Sequence, residues 1–267
     1  MKTRSQRSPE FSGRGDPEAT LNLLWGAEKP MRRGPRPSLS AGLVGRAALA
    51  IADAGGLSAL SMRALGEELG VAAMAVYRYV PGKDALLELL LEAAYSELPD
   101  NRLEGQPWRV RLRAVATDAW TLFLAHPWML QISVQRPSLG PHAIRKYERE
   151  LSALAETGLS DLEMDLAVAS VSDFVRGCAR SASEAHVAHE VTGQNDAEWW
   201  SAHAAHLARL VEPERFPLAV RVGAAAGAAY GGPTDPARTF EFGLERLIRG
   251  LEELVESRTP RSKLRRP

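Results

Sequence analysis

The chain has a single cysteine, Cys178, among its 267 residues. That excludes an internal disulfide framework and a cysteine-rich metal site, and it fits a reducing compartment. No uninterrupted apolar run reaches spanning length. The most apolar N-terminal patch, "LNLLWGA" at 21–27, is too short and follows too many charges to be a signal peptide, so a soluble, cytoplasmic protein with no membrane partner is expected. A nucleophile elbow, a phosphate-binding glycine loop, a dinucleotide fingerprint and an H-E-x-x-H zinc signature are all missing. Neither enzymatic activity nor a cofactor is expected. Net charge is absent too, at 33 basic and 33 acidic residues, but the balance is uneven. Residues 29–83 hold eight basic side chains against three acidic ones, a local excess that suits a polyanionic partner.

With 45% hydrophobic residues the chain can bury a sizeable core in one or two domains. Residues 1–38, rich in Arg, Ser, Gly and Pro, read as a mobile basic arm that carries Arg32, Arg33 and Arg36 in "RRGPRPS". Residues 258–267 form a basic tail. Between them the pattern is helical throughout and no alternating strand-like run occurs, which predicts an all-α fold.

Ser40 caps a first helix that stops at "AGG" (54–56), and Ser61 caps a second that ends at Gly70. A third, short helix covers 72–79, because the residue before Pro81 avoids helical geometry. A fourth starts at Lys83 and runs to about Leu98, completing a first domain over 39–98. Over 99–257 the sequence predicts a helix from Pro107 interrupted at Pro127, a helix ending near Gly158, and a long helix opened by the capping-box pair Ser160 and Glu163. The long helix, about 161–190, is apolar on more than one face and is expected to be buried between others. A helix at 196–211 follows, then a Gly/Ala/Pro-rich stretch at 223–236 and a last amphipathic helix through Phe240, Leu244, Leu247, Ile248 and Leu251.

Two short helices joined by a tight turn at Gly70, the second basic at its end, are the arrangement of a helix-turn-helix. The segment "SMRALGEELGVAAMAVYRYVPGKDALLELLLEAAY" closely resembles the DNA-binding region of TetR-family transcriptional regulators, whose Tyr-x-(His/Tyr) pair and following turn match Tyr77, Tyr79, Gly82 and Lys83. "HPWMLQI" at 126–132, "YERELSALAETGLSDLEMDLAV" at 147–168, "EWW" at 198–200 and "FEFGLERLIRGLEEL" at 240–254 resemble the C-terminal domain of the tetracycline-repressor subgroup. The likeness spans about residues 21–257. It implies a ligand-binding and dimerisation domain at 99–257, and a homodimer paired through the helices near 161–190 and 238–257. It also implies a repressor released from a palindromic operator by a small-molecule effector, with the fourth helix as the lever between the two functions.

The residues fit those roles chemically. Tyr77, Tyr79 and Lys83 are candidates to clamp phosphates, since tyrosine hydroxyls donate to phosphate oxygens and Lys83 adds charge at a helix start. Base reading falls to Arg63, Arg78 and the exposed face of the third helix at Ala72, Ala73 and Met74. Relatives commonly carry Thr or Ser where this sequence has Ala72, Ala73 and Ala75, so apolar contact with thymine methyls gains weight. Trp120, Phe123, His126, Trp128, Met129, Phe174 and Trp200 are candidates to line the effector pocket, although helical spacing alone also suits a packed core. His186 with His189, and His203 with His206, sit at i, i+3 spacing that could share a metal. They support the competing reading, a helical metalloenzyme or hydrolase; a non-specific architectural DNA binder is a further alternative.

Overall fold

The structure, a computed structural model, describes residues 10–11, 16–26, 39–101, 103–133 and 136–258. Arg32, Arg33 and Arg36 and the basic tail from residue 259 lie outside the described residues. Eleven α-helices carry almost all the regular structure among them. The β structure among those residues is one two-residue parallel pairing, β1 (Glu10–Phe11) with β2 (Ile132–Ser133). The all-α expectation holds.

The chain forms two compact units, Met1–Val168 and Ala169–Pro267. In the first, α1 (Pro17–Gly26) lies within the segment read from sequence as a mobile arm. The structure corrects that reading for residues 17–26. Leu24 is buried, α1 packs on later helices of the unit, and the Trp25 indole N–H donates to the Leu139 carbonyl at 2.9 Å. Leu24, with the half-buried Leu23 beside it, docks a helix that its Arg/Gly/Pro-rich flanks conceal in the sequence.

α2 (Ala41–Gly55) starts where expected, the Ser40 hydroxyl accepting from the Leu43 N–H at 3.2 Å. α3 (Met62–Leu69) is capped in the same way by Ser61 and closed by Gly70 at φ 66°, a left-handed position that glycine takes without strain. α4 (Ala73–Tyr79) follows after three residues, Gly70, Val71 and Ala72, and its end at Val80 satisfies the steric rule set by Pro81. α5 (Lys83–Tyr95) stops three residues short of the expected Leu98. Every residue of α5 from Ala85 to Glu92 is buried, because α2, α1 and α7 (Pro141–Ser152) pack around it. Gly45 makes the α2–α5 approach possible: a Cβ there would lie 3.0 Å from the Leu89 carbonyl oxygen.

α6 (Trp108–Ala125) ends before a 3-10 turn at Pro127–Gln131, so the chain bends at Pro127 as its missing N–H requires. The first unit therefore packs α1 to α5 together with α6 and α7. α5 links them, packing against α1, α2 and α7.

α8 (Asp161–Thr192) opens on the Ser160/Glu163 capping box and crosses from the first unit into the second. Within the second unit its buried face is Val171, Val175, Cys178 and Ala179; from Glu184 onward it is largely exposed, Val191 at 69%, so burial along its whole length is not observed. α9 (Asp196–Leu210) begins with an Asn195/Glu198 capping box. α10 (Pro217–Tyr230) is a helix that the sequence reading did not assign, since its Gly/Ala-rich face lacks an apolar stripe. α11 (Pro236–Arg258) buries Phe240, Leu244 and Ile248 at four-residue spacing, with the Phe174 ring stacked on Phe240 at 6.3 Å.

Candidate nucleic-acid interface and sensor residues

α3 and α4 meet at Gly66. A Cβ on Gly66 would lie 2.8 Å from the Val71 carbonyl oxygen and 3.2 Å from the Ala73 amide, so only glycine lets the turn fold this tightly over α3. Leu65 and Val76 are fully buried between the helices. The opposite face of α4 points outward: Met74 is 68% and Tyr77 51% exposed, and Ala72 and Arg78 are exposed beside them, with Ala73 half-buried. Arg63 on α3 is exposed and makes a long, 4.0 Å ion pair with Glu67, an interaction of little energetic weight at the surface. Lys83 is exposed at the first position of α5.

Tyr79 differs from Tyr77. It is half-buried, and burial raises its phenol pKa, which the backbone N–H of Ala41 at the start of α2 partly offsets. The Tyr79 side chain thus lies by the N-terminus of α2. Arg63 on α3, Met74, Tyr77 and Arg78 on α4 and Lys83 on α5 are thus exposed, with Tyr79 half-buried at the end of α4.

The pocket candidates fall in both units. In the first unit Trp120 is half-buried, Phe123 and Met129 are buried, and His126 and Trp128 are engaged in hydrogen bonds. His126, 5% exposed, places Nδ1 2.7 Å from Asp53 and Nε2 3.0 Å from Glu97. The Trp128 indole N–H donates to the same Asp53 oxygen at 2.7 Å. In the second unit Phe174 is half-buried against Phe240 and the bare backbone of Gly243, and Trp200 lies over Gly227, where a Cβ would come within 2.7 Å of its indole nitrogen.

Sequence reasoning missed Asp53, Glu97 and Glu92. Glu92, buried in α5, accepts from the backbone N–H groups of His142 at 2.7 Å and Ala143 at 3.0 Å, and so caps α7 from another helix. Burial raises its carboxyl pKa, an effect the two N–H donors reduce. Gly140 admits it, since a Cβ there would overlap the Glu92 side chain. A signal existed: Glu88 and Glu92 stand four residues apart inside "LLELLLEAA", acidic groups in a helix otherwise apolar on every side.

The histidine pairs do not converge on a ligand set. His186 forms a 3.4 Å pair with Glu190 at the surface, and the His203 ring stacks on Trp199 at 4.2 Å while hydrogen-bonded to its carbonyl. Among the described residues no three His, Cys, Asp or Glu side chains come together as a metal site. No helix of the described residues is long and apolar enough to cross a membrane.

A short helix presenting an exposed aromatic and basic face across a tight turn, on an all-helical scaffold, defines a helix-turn-helix DNA-binding regulator. Comparison with known proteins specifies the family. Residues 46–90 match "Bacterial regulatory proteins, tetR family", and residues 99–255 match "Tetracyclin repressor-like, C-terminal domain". The chain is 40% identical over 253 residues to the HTH-type transcriptional repressor DrrR1 of Streptomyces coeruleorubidus, covering 94% of this chain and 91% of DrrR1. Apo ActR from Streptomyces coelicolor has the same fold, with a TM-score of 0.67 and 27% identity over 84% of this chain and 100% of ActR. ActR in complex with actinorhodin superposes at a TM-score of 0.67 and 28% identity, covering 82% and 97% of the two chains. The chain belongs to the TetR family of bacterial transcriptional regulators.

Proposed function

We propose that this regulator is a dimeric repressor that binds a palindromic operator through α4 and leaves it when a small organic effector binds its C-terminal domain. The observation that carries the reading is the outer face of α4, where Met74 and Tyr77 stand exposed on a helix anchored through Val76 and Gly66. Large apolar side chains held in water on a short basic helix have a use when a groove covers them. The naming of DrrR1 as a repressor, and the actinorhodin complex of ActR, support repression and effector response by analogy.

Tyr77, Tyr79 and Lys83 grip phosphates, while Arg63, Arg78, Ala72, Ala73 and Met74 meet the bases. The arginines at 32, 33 and 36 supply minor-groove charge. Within the second unit the half-buried aromatics Phe174 and Trp200 are suited to an effector, since their rings are not wholly buried. Dimerisation uses α8 and α11, and the apolar side chains that the isolated chain leaves exposed, among them Phe242 at 64% and Leu210 at 79%, fit a protein that completes its second unit with another copy. The regulator works in the cytoplasm and catalyses nothing.

The division of roles is tested by titrating operator DNA over a range of salt. Tyr77→Phe and Lys83→Ala weaken binding to every sequence, and Lys83→Ala lowers the salt slope by about one ion. Arg63→Ala relaxes base preference at one position. Equal, sequence-independent losses in all three variants refute the assignment.

A further inference from the structure

His126 stands at the junction of three elements of the first unit: the end of α2, the segment leaving α5, and the bend after α6. Its two ring nitrogens face carboxylates from two of them, Asp53 on α2 at 2.7 Å and Glu97 beyond α5 at 3.0 Å. The third contributes Trp128, whose indole N–H donates to Asp53. A neutral imidazole has one N–H and one lone pair, so it donates to only one of the two carboxylates; an imidazolium donates to both.

We infer that His126 is a positioning residue that pins the DNA-binding head to the α6 bend, and that the pin is complete only while the imidazole carries its second proton. The inference rests on the DNA-binding reading above. It gives His126 and Trp128 a different task from lining the effector pocket: their polar atoms are committed to Asp53 and Glu97.

The order of release follows from the geometry. On loss of the proton, Asp53 keeps the shorter bond and also the Trp128 donor, whereas the Nε2 lone pair turns toward Glu97. Glu97 is the more exposed partner, its side chain at 49% against 36% for Asp53, so it is the one that moves into water. Burial alone lowers the His126 pKa; hydrogen bonds to Asp53 and Glu97, and their charges, outweigh it and raise it above the ordinary histidine value. For a group whose folded pKa is raised, the stabilisation is present in full below the unfolded value and disappears as pH climbs through the folded value. A loosened head must be ordered again when a dimer places two recognition helices in successive grooves, so operator affinity falls over the same interval.

The test uses the full-length protein and its selected operator, with binding titrated between about pH 6 and pH 8.5 at constant ionic strength. Wild type is expected to lose about threefold or more in affinity across that range, and His126→Gln and Glu97→Gln to bind more weakly at the acid end with a flat profile. The five other histidines remain in both variants. Glu97 is half-exposed, so its variant keeps the test valid if His126→Gln fails to fold. A wild-type pH profile retained in either folded variant overturns the inference. Binding of no duplex at any pH instead defeats the DNA-binding reading. In that event NMR titration of the His126 ring decides the pin: a midpoint above the ordinary histidine range that drops in Glu97→Gln supports it, and an unshifted midpoint in both proteins overturns it.

Discussion

Gly66→Ala adds one methyl group at the closest approach in the helix-turn-helix. In an open helix interior, alanine is favoured over glycine by about 1 kcal/mol. At Gly66 the new Cβ meets backbone, 2.8 Å from the Val71 oxygen and 3.2 Å from the Ala73 amide. Neither can rotate away, so α4 must back off by roughly half an ångström to restore normal contact. Overpacking of this kind costs about 1–3 kcal/mol, which leaves a net loss of up to about 2 kcal/mol after the propensity gain. Gly42 offers the contrast: on α2 it meets only the end of the Arg46 side chain, at 3.4 Å, and Gly42→Ala should stabilise by up to about 1 kcal/mol. Urea unfolding compares the two, and fluorescence anisotropy with labelled operator reads the consequence for function. We expect opposite signs in stability, and for Gly66→Ala a loss of about tenfold in operator affinity, because Met74, Tyr77 and Tyr79 all move with α4. If both substitutions stabilise and both proteins bind as wild type does, the tight α3–α4 turn is not what sets the recognition surface.

Glu92→Ala leaves the first N–H groups of α7 without their cross-helix acceptor and should lower unfolding free energy by about 1–3 kcal/mol in urea; a change below about 0.5 kcal/mol contradicts the capping role. Leu24→Ala should cost about 2–5 kcal/mol, read in the same experiment, because the side chain is buried in the first unit. Loss of nothing would mean that α1 does not dock in solution.

Local signals made much of this molecule readable. The caps at Ser40, Ser61 and Ser160 and the stop at Gly70 mark helix ends through hydrogen bonds within three residues, and each occurs where its side chain predicts. The exposed face of α4 was legible for the same reason: Val76 and Tyr77 are neighbours in sequence, yet one is buried and the other exposed, as helical geometry demands. What escaped is non-local. Asp53 and His126 are 73 residues apart, and no periodicity on α2 announces a histidine beyond α6. α10 escaped because its defining contact is a missing side chain, Gly227 beneath Trp200, which reads in the sequence as a loop signal. α1 was hidden by its flanks.

Selection of bound sequences from random duplex DNA by the full-length protein tests the central claim most directly. A dimer reading DNA through two copies of α4 predicts an enriched, two-fold symmetric motif whose half-sites are spaced by about one helical turn or a multiple of it. No enrichment, or enrichment that survives unchanged when Met74 and Tyr77 are both replaced by alanine, would contradict it.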